Sequence, residues 1–340
     1  MAAPAPAQAQ ITDEEAALYD RQIRLWGAAA QSRLQAARVL LAGRFRGIAV
    51  DAAKNVVLAG VGALTLLDGE DLLEEDLGSN YFAREEEVGQ KRIEASAPRV
   101  QALNPRVKLE TESDASKLFS EEFLNSFDLV VVTDVDAPTV LVVNDLTRKL
   151  GKKFFAAGSI GIDGWMFADL LDHEFIVDVH KALAPGETAP VIVPTKSTVG
   201  YVPFSLALEH KFNELKKREI KNAGPVLWGS LSLFAAQRTA NASPTAPSAA
   251  TVPEADLRSA AEKLLPELGL NADVLPSDEI SRLATLQEAE FPPSCAIVGG
   301  ILGQDILNAV GGKEAPLRNF GCYEGGTGQF RVWGLGLGTQ

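Results

Sequence analysis

Short apolar segments alternate with helix-forming segments through the first half of the chain, and few folds accept that alternation. Four runs carry the signal most clearly: residues 39–43, 64–68, 129–133 and 154–158. A weaker run of the same kind occurs at residues 107–111. Apolar strands that alternate with helices are typical of a mostly parallel sheet covered on both faces. The sequence therefore predicts an α/β fold with a doubly wound, Rossmann-like sheet.

The remaining segments divide the chain into a sheet domain and an insertion. Residues 13–180 and 292–340 are predicted to form the sheet domain, and residues 181–291 a mostly helical insertion. The Ala/Pro-rich residues 1–12 are expected to be disordered, without the features of a signal peptide. The low-complexity residues 239–253 are expected to form a flexible loop within the insertion.

Apolar periodicity and helix-end signals predict the individual helices. In the sheet domain they cover residues 13–26, 28–37, 47–59, 86–103, 137–150 and 295–310. In the insertion they cover residues 205–222, 254–267 and 278–290. Residues 167–175 are predicted to be an antiparallel strand, and residues 318–324 and 328–333 a closing hairpin.

Composition excludes several classes of function. The net charge of −13 over 340 residues argues against a nucleic-acid partner, because phosphate contacts need clustered Lys and Arg. No stretch reaches the ~18 apolar residues expected of a membrane span. The two cysteines, Cys295 and Cys322, have no CxxC spacing, and the chain has only three histidines. A His/Cys metal site is therefore not expected, and no metal ligand is assigned.

The segment after the first strand stands where a Rossmann fold binds phosphate. It begins at Gly43, reads Gly-Arg-Phe-Arg-Gly, and lacks the GxGxxG spacing that lets a backbone approach a pyrophosphate. Arg44, Phe45 and Arg46 place side chains where the phosphates would lie. The arginines could bind phosphate themselves, but a structural strand-to-helix turn is the preferred interpretation.

Four further residues are candidates for chemistry, each with a structural alternative. Asp68 ends the second strand, where a ribose-binding acid would stand. Asp134 and Asp136 follow the fourth strand and could hold Mg²⁺. Cys295 lies near a helix N-terminus, where the helix dipole could activate a thiol. A packed structural cysteine is preferred, because no nearby motif supplies a base.

The first helical segment carries an apolar face and exposed arginines. Tyr19, Ile23 and Trp26 are spaced i, i+4, i+7 and share one face of a helix. Arg21 and Arg24 fall together, away from Tyr19. A helix of this kind can anchor itself to its own domain and reach outward at the same time.

These motifs together resemble the activating enzymes for ubiquitin-like proteins, which adenylate the C-terminal glycine of a modifier with ATP. The match covers residues 19–27, 53–62, 64–68, 76–82 and 292–305. Within this family the chain is similar to the smaller, non-cysteine subunits of SUMO-type enzymes. The reasons are its length, the absent zinc CxxC pairs, and the absence of any cysteine before residue 295.

The resemblance implies a ThiF/MoeB-type adenylation domain that is the inactive half of a heterodimer. ATP and Mg²⁺ would belong to the site of the cysteine-bearing partner subunit, and this chain alone would bind neither. Arg21 would act in trans, contacting the phosphates of the partner's ATP, and is the one predicted catalytic and cofactor-contacting residue. Arg84 and Lys91 fall near the family's nucleotide-contact region, without an assigned role.

The resemblance also implies further partners and a location. SUMO would be the modifier, the SUMO-conjugating enzyme an indirect partner, and the nucleus the compartment, with the cytoplasm also possible. The insertion would be a reduced form of the catalytic-cysteine half-domain. Alternative functions are the equivalent subunit for a NEDD8-type modifier, a self-sufficient sulfur-carrier adenylating enzyme, a dinucleotide-dependent oxidoreductase, and a non-catalytic scaffold that binds the modifier.

Overall fold

The computed structural model describes residues 11–181, 191–241, 244 and 251–337. The strands are β1 (Arg38–Gly43), β2 (Ala63–Leu67), β3 (Lys108–Glu112), β4 (Leu129–Thr133), β5 (Lys153–Ile160), β6 (Asp163–Asp169), β7 (Asp172–Lys181), β8 (Val191–Gly200), β9 (Phe320–Glu324) and β10 (Gln329–Trp333). The helices before the insertion are α1 (Asp13–Leu18), α2 (Asp20–Trp26), α3 (Ala28–Ala36), α4 (Gly47–Leu58), α5 (Arg92–Leu103), α6 (Glu121–Asn125) and α7 (Ala137–Lys149). The later helices are α8 (Phe204–Leu208), α9 (Lys217–Ala223), α10 (Pro225–Ala240), α11 (Glu254–Glu267), α12 (Ser277–Leu286) and α13 (Pro292–Gly311).

The main sheet has eight strands in the order β10-β9-β6-β5-β4-β1-β2-β3. The five strands from β5 to β3 are parallel, whereas β6, β9 and β10 add an antiparallel edge. All five residues of β4 are buried, and their side chains alternate between two hydrophobic cores, with Val130 in one and Val131 in the other. The predicted doubly wound α/β sheet is therefore confirmed.

The two cores have different helices over them. On one face α4 and α13 pack together and supply Ile48, Val298 and Leu302. On the other face α7 and α10 lie against the sheet, and one continuous core joins Phe320 to Leu257 of α11. The predicted insertion therefore shares a core with the sheet, and it also contains the strand β8. The strands β7 and β8 form a separate antiparallel ribbon.

Among the helices that the structure describes, α13 is long and apolar enough to cross a membrane. However, 61% of that apolar stretch is buried inside the fold. The helix contacts α3, α4 and β6, and its Gly299 and Gly303 let α4 approach closely. It is a core helix of this domain.

Several predicted element boundaries were wrong, and local backbone geometry explains three of them. The predicted helix 13–26 is two helices, because Tyr19 leaves helical geometry (φ −99°, ψ 17°) and turns inward. The predicted helix 86–103 becomes α5 only after Gly89, whose φ of +91° breaks it. The predicted strand 167–175 divides at Leu171, which has a φ of +59°, and its second half joins the separate ribbon.

The insertion departs most from its predicted elements. The predicted helix 205–222 is two short helices, α8 and α9, and the whole of α10 was missed. Residues 226–234 of α10 are all buried, so this stretch has no solvent-facing polar side and no amphipathic periodicity to detect. Most of the predicted loop 239–253 and of the predicted lead 1–12 lies outside the described residues.

Candidate functional site

The carboxyl ends of β1 and β4 meet at the edge where a doubly wound sheet usually binds its ligand. Gly43 ends β1 with a φ of +106°, and a Cβ there would lie 2.1 Å from the Thr133 carbonyl oxygen. The backbone therefore turns sharply into residues 44–46, which precede α4. The loop occupies the predicted position, and its side chains decide what can enter.

The loop side chains are held by the protein itself. Phe45 is 2% exposed and packs into the core beside α4. The Arg44 Nε lies 3.2 Å from the carboxylate of Glu70. The Arg46 side chain is 6% exposed, and its Nη2 donates a 3.0 Å hydrogen bond to the Glu288 carbonyl oxygen. The preferred structural interpretation of this turn fits these contacts.

Asp68 is engaged inside the protein. Its Oδ2 accepts a 2.9 Å hydrogen bond from the Phe45 amide and lies 2.5 Å from the Arg92 Nη1. Arg92 is fully buried and also pairs with Asp76 at 2.9 Å. Burial raises the pKa of Asp68 above its ordinary value, whereas Arg92 and the backbone amides oppose that rise. Asp68 thus orders the loop, and its contacts leave no free face for a ribose.

The acids after β4 also have structural partners. Asp134 adopts a φ of 51°, and its Oδ1 accepts a 2.8 Å hydrogen bond from the Ser159 amide. Asp136 caps α7 through the Thr139 amide at 3.0 Å and accepts a 2.8 Å bond from Asn241. Within the described part of the chain, no three acids, histidines or cysteines gather as a metal site would require. These contacts favour structural roles for both residues.

A cavity of about 40 Å³ remains between these loops, lined by Arg44, Arg46, Asp134 and Ser159 among others. Pockets for drug-sized ligands have volumes of roughly 300–1,000 Å³. The cavity at this edge is therefore much smaller than a drug-sized pocket.

Arg84 and Lys91 are also bound to their surroundings. The Arg84 Nη1 donates to the carbonyl oxygens of Tyr81 and Ala83 at 3.0 and 2.7 Å. The Lys91 Nζ donates to the Gly69 carbonyl oxygen at 2.8 Å and pairs with Asp71 at the same distance. Both side chains stabilise the loops around α5 in this arrangement.

Cys295 lies in the first turns of α13 with 1% of its surface exposed. Burial raises the pKa of its thiol above the ordinary value, and the neighbouring carboxylate of Glu290 adds to the rise. A nucleophilic cysteine needs access and a thiolate, and this environment provides neither. The structure supports a packed cysteine.

Arg21, unlike the residues above, is exposed and is not held by the described part of its own chain. Tyr19 is 4% exposed, and its hydroxyl accepts a 2.8 Å hydrogen bond from Asn104. Arg21, two residues later, is exposed, and its guanidinium makes no hydrogen bond or ion pair with the residues that the structure describes. By contrast, Arg24 pairs with Asp20 at 3.0 Å. The predicted placement of Arg21 away from an anchored face is confirmed, whereas its role stays a prediction.

Sequence reasoning missed two residues that organise this edge, Arg92 and Glu290. Arg92 joins Asp68 to Asp76, and Glu290 pairs with Arg46, with Nε and Oε1 3.2 Å apart. Glu290 lies two residues before the matched segment that starts at residue 292, yet nothing in the neighbouring sequence marks it as a partner of the loop.

Comparison with known proteins agrees with the geometry of the sheet and extends it. The model of the ThiF family matches residues 19–333. Two solved structures share the fold at 13% identity. A selenomethionine crystal structure of PaaA has a TM-score of 0.56 and covers 97% of this chain and 76% of its own. A crystal structure of Escherichia coli MccB has a TM-score of 0.53 and covers 94% and 71%.

Curated relatives match almost end to end. The SUMO-activating enzyme subunit 1 of Xenopus laevis is 37% identical over 333 residues, covering 94% of this chain and 95% of its own. The human protein of the same name is 34% identical and covers 96% of each chain. The Saccharomyces cerevisiae DNA damage tolerance protein RHC31 is 33% identical and covers 93% and 95%. The chain therefore belongs to the ThiF family, and within that family it groups with the SUMO-activating enzyme subunit 1 proteins.

Proposed function

We propose that this chain is the non-catalytic subunit of a SUMO-activating enzyme. In this role it supports ATP-dependent adenylation of the SUMO C-terminus, the first step of sumoylation. The observation that carries the proposal is the 37% identity to a SUMO-activating enzyme subunit 1 over 94% of the chain. That similarity favours SUMO over a NEDD8-type modifier.

The proposal assigns the chemistry to a cysteine-bearing partner subunit. The partner binds ATP and Mg²⁺ and supplies the cysteine that forms the thioester, whereas this chain alone is inactive and binds no nucleotide. Two observations support that division. The cavity at the loop measures about 40 Å³, and Cys295 is buried.

Arg21 is the proposed catalytic contribution of this chain. A guanidinium forms charge-assisted, often bidentate, hydrogen bonds with phosphate oxygens. The exposed Arg21 has no described partner in its own chain, so it is free to contact the phosphates of the partner's ATP. The anchored Tyr19 would hold the helix still while Arg21 reaches across.

A partner surface of apolar character lies near Arg21. Leu25 is 74% exposed and borders a groove of about 270 Å³ that Trp26 and Leu307 also line. Ile297, nearer the start of α13 and outside the lining of that groove, is 40% exposed. Obligate heterodimers typically bury more than ~2,000 Å² in total, with an apolar centre. This apolar surface suits such an interface.

The same proposal gives SUMO as the modifier, the SUMO-conjugating enzyme as an indirect partner, and the nucleus as the location.

Reconstitution tests the proposal. This chain is mixed with a cysteine-bearing SUMO-activating subunit, and ATP–pyrophosphate exchange and thioester formation are measured with SUMO and with NEDD8. We expect exchange and a thioester only with both chains and SUMO. Exchange by the partner that is independent of this chain would indicate a scaffold. A micromolar calorimetric ATP site on the isolated chain would contradict the proposed division of labour.

A further inference from the structure

The first turn of α4 carries no side chain of its own that balances the positive end of the helix. The helix has 12 residues, no acidic residue in its first turn, and no side-chain cap from Arg46 at its N-cap position. The first amides of such a helix attract negative charge. In nucleotide-binding relatives of this fold, a phosphate usually meets that need.

Here the carboxyl group of Glu290 lies at that position, and burial together with the neighbouring Asp134 raises its pKa to about 7. A Cβ on Gly47 would lie 2.5 Å from the Glu290 Oε1 and 2.9 Å from its carboxyl carbon. The Glu290 carboxylate therefore lies directly against the first turn of α4, in the room that the missing Gly47 side chain leaves. Its side chain is only 7% exposed.

The surrounding donors are those of an oxyanion site. The Arg46 Nε lies 3.2 Å from one carboxylate oxygen of Glu290. The Ser79 hydroxyl donates to the other oxygen and accepts a 3.4 Å hydrogen bond from the Gly47 amide. The Glu290 Oε1 and the Arg46 Nε are buried, yet their pairing does not reach hydrogen-bond geometry. The Glu290 carboxyl group thus occupies the site but leaves the Arg46 Nε without a hydrogen bond.

The structure points to Glu290 as the resident ligand of a small-oxyanion site built from Arg46, Ser79 and the N-terminus of α4. The side chain substitutes for an external anion and excludes one. The chemical class that the site takes is a small oxyanion, such as a carboxylate or inorganic phosphate. This inference does not depend on the modifier or on the partner subunit.

The Arg46–Glu290 pair has a second consequence for the fold. Arg46 also holds the Glu288 carbonyl oxygen, so it contacts two residues of the connector between α12 and α13. Glu290 itself forms an isolated bridge with Gly161 after β5. The resident carboxylate therefore joins the end of the helical insertion to the loop after β1.

Anion rescue of Glu290→Ala tests the inference. The full chain is unfolded thermally in chloride, acetate and inorganic phosphate at one pH and constant ionic strength. We expect acetate and phosphate to raise the Tm of Glu290→Ala above its value in chloride by about 2 °C or more, because an anion that binds only the folded state stabilises it. The parent chain should show no such difference, since its site is filled.

Three variants make the result decisive. Glu288→Ala removes a charge from the same connector but opens no space at α4, so we expect it to behave like the parent. Glu290→Gln keeps the site filled and should also show no anion effect. Adding Arg46→Ala to Glu290→Ala should abolish the rescue.

The inference is overturned if acetate and phosphate stabilise Glu290→Ala no more than chloride, or if they stabilise Glu288→Ala equally. Should Glu290→Ala be unfolded in chloride, refolding is measured in acetate instead. Recovery of a cooperative unfolding transition then supports the site, and no recovery overturns it.

Discussion

The Asn104 side-chain amide donates a 2.8 Å hydrogen bond to the hydroxyl of Tyr19, and both residues are buried. The same amide donates to the Val57 carbonyl oxygen at 3.0 Å. One side chain therefore ties the junction of α1 and α2 to the end of α4. Because the junction is fixed, α2 presents Arg21 outward from a rigid base.

Arg21→Ala should slow adenylation by the reconstituted heterodimer roughly 10- to 100-fold. Under the proposed role in trans, the substitution removes a charge-assisted hydrogen bond to phosphate, which is worth ~1.5–3 kcal/mol. Arg21→Lys should rescue only part of the loss, because an ammonium group cannot reproduce the planar fork. The measurement is ATP–pyrophosphate exchange, with thermal unfolding followed alongside.

Arg24→Ala is the matched control for Arg21. Arg24 belongs to the same helix and is exposed, but its guanidinium already pairs with Asp20. We expect exchange within about twofold of the parent, since exposed i,i+4 pairs contribute only ~0.3–0.5 kcal/mol. Equal effects of the two substitutions, or an Arg21→Ala rate within twofold of the parent, would exclude the proposed role in trans.

Gly60→Ala should destabilise the fold by about 1–3 kcal/mol and move Tyr19. Gly60 has a φ of +79°, and a Cβ there would lie 2.4 Å from the Tyr19 hydroxyl oxygen. Urea unfolding measures the effect. Gly78→Ala is the control, because nothing lies within 4 Å of its added Cβ, and it should change stability by less than about 0.5 kcal/mol. Similar midpoints for the two variants would refute the packing argument.

Cys295→Ala should leave SUMO thioester formation nearly unchanged in the complex, because the proposed function assigns the nucleophile to the partner. The substitution removes one buried sulfur atom, so some loss of stability is expected without loss of chemistry. Non-reducing electrophoresis with mass mapping of the thioester provides the measurement. A modifier mapped to Cys295 would reverse the assignment of roles.

Asp305 should make the folded state less stable as the pH rises from about 4 to 6. Burial raises the pKa of Asp305 from 3.8 to about 6, although the Leu317 amide donates to its Oδ2 at 2.8 Å. Between these values the folded chain keeps a proton that the unfolded chain releases. The contribution to stability is thus complete below pH 3.8 and is lost as the pH rises through 6.

Asp305→Asn should remove that dependence. The amide oxygen can still accept the bond from Leu317, but the side chain no longer titrates. Unfolding by urea at several pH values compares the two proteins. In this window the free energy of unfolding of the parent should fall, relative to the variant, by up to ~1.4 kcal/mol per pH unit. Parallel pH profiles would show that Asp305 titrates normally.

Periodicity could predict the sheet because β1, β4 and β5 are short, buried and almost wholly apolar. The same argument failed for α10, because its residues 226–234 are all buried and give no amphipathic signal. The breaks at Gly89 and Leu171 were not predicted, because at each position a positive φ interrupts the helix or strand. Local composition does not specify those dihedrals.

The sequence by itself determined the doubly wound sheet, the altered phosphate loop and the outward placement of Arg21. These features depend on residues a few positions apart, and local periodicity and backbone sterics govern them. Only the tertiary structure decided that Arg92 pairs with Asp68 and that Glu290 pairs with Arg46 at the N-terminus of α4. Those pairs join residues far apart in the chain, and a buried charge finds its partner only when the whole fold brings the two together.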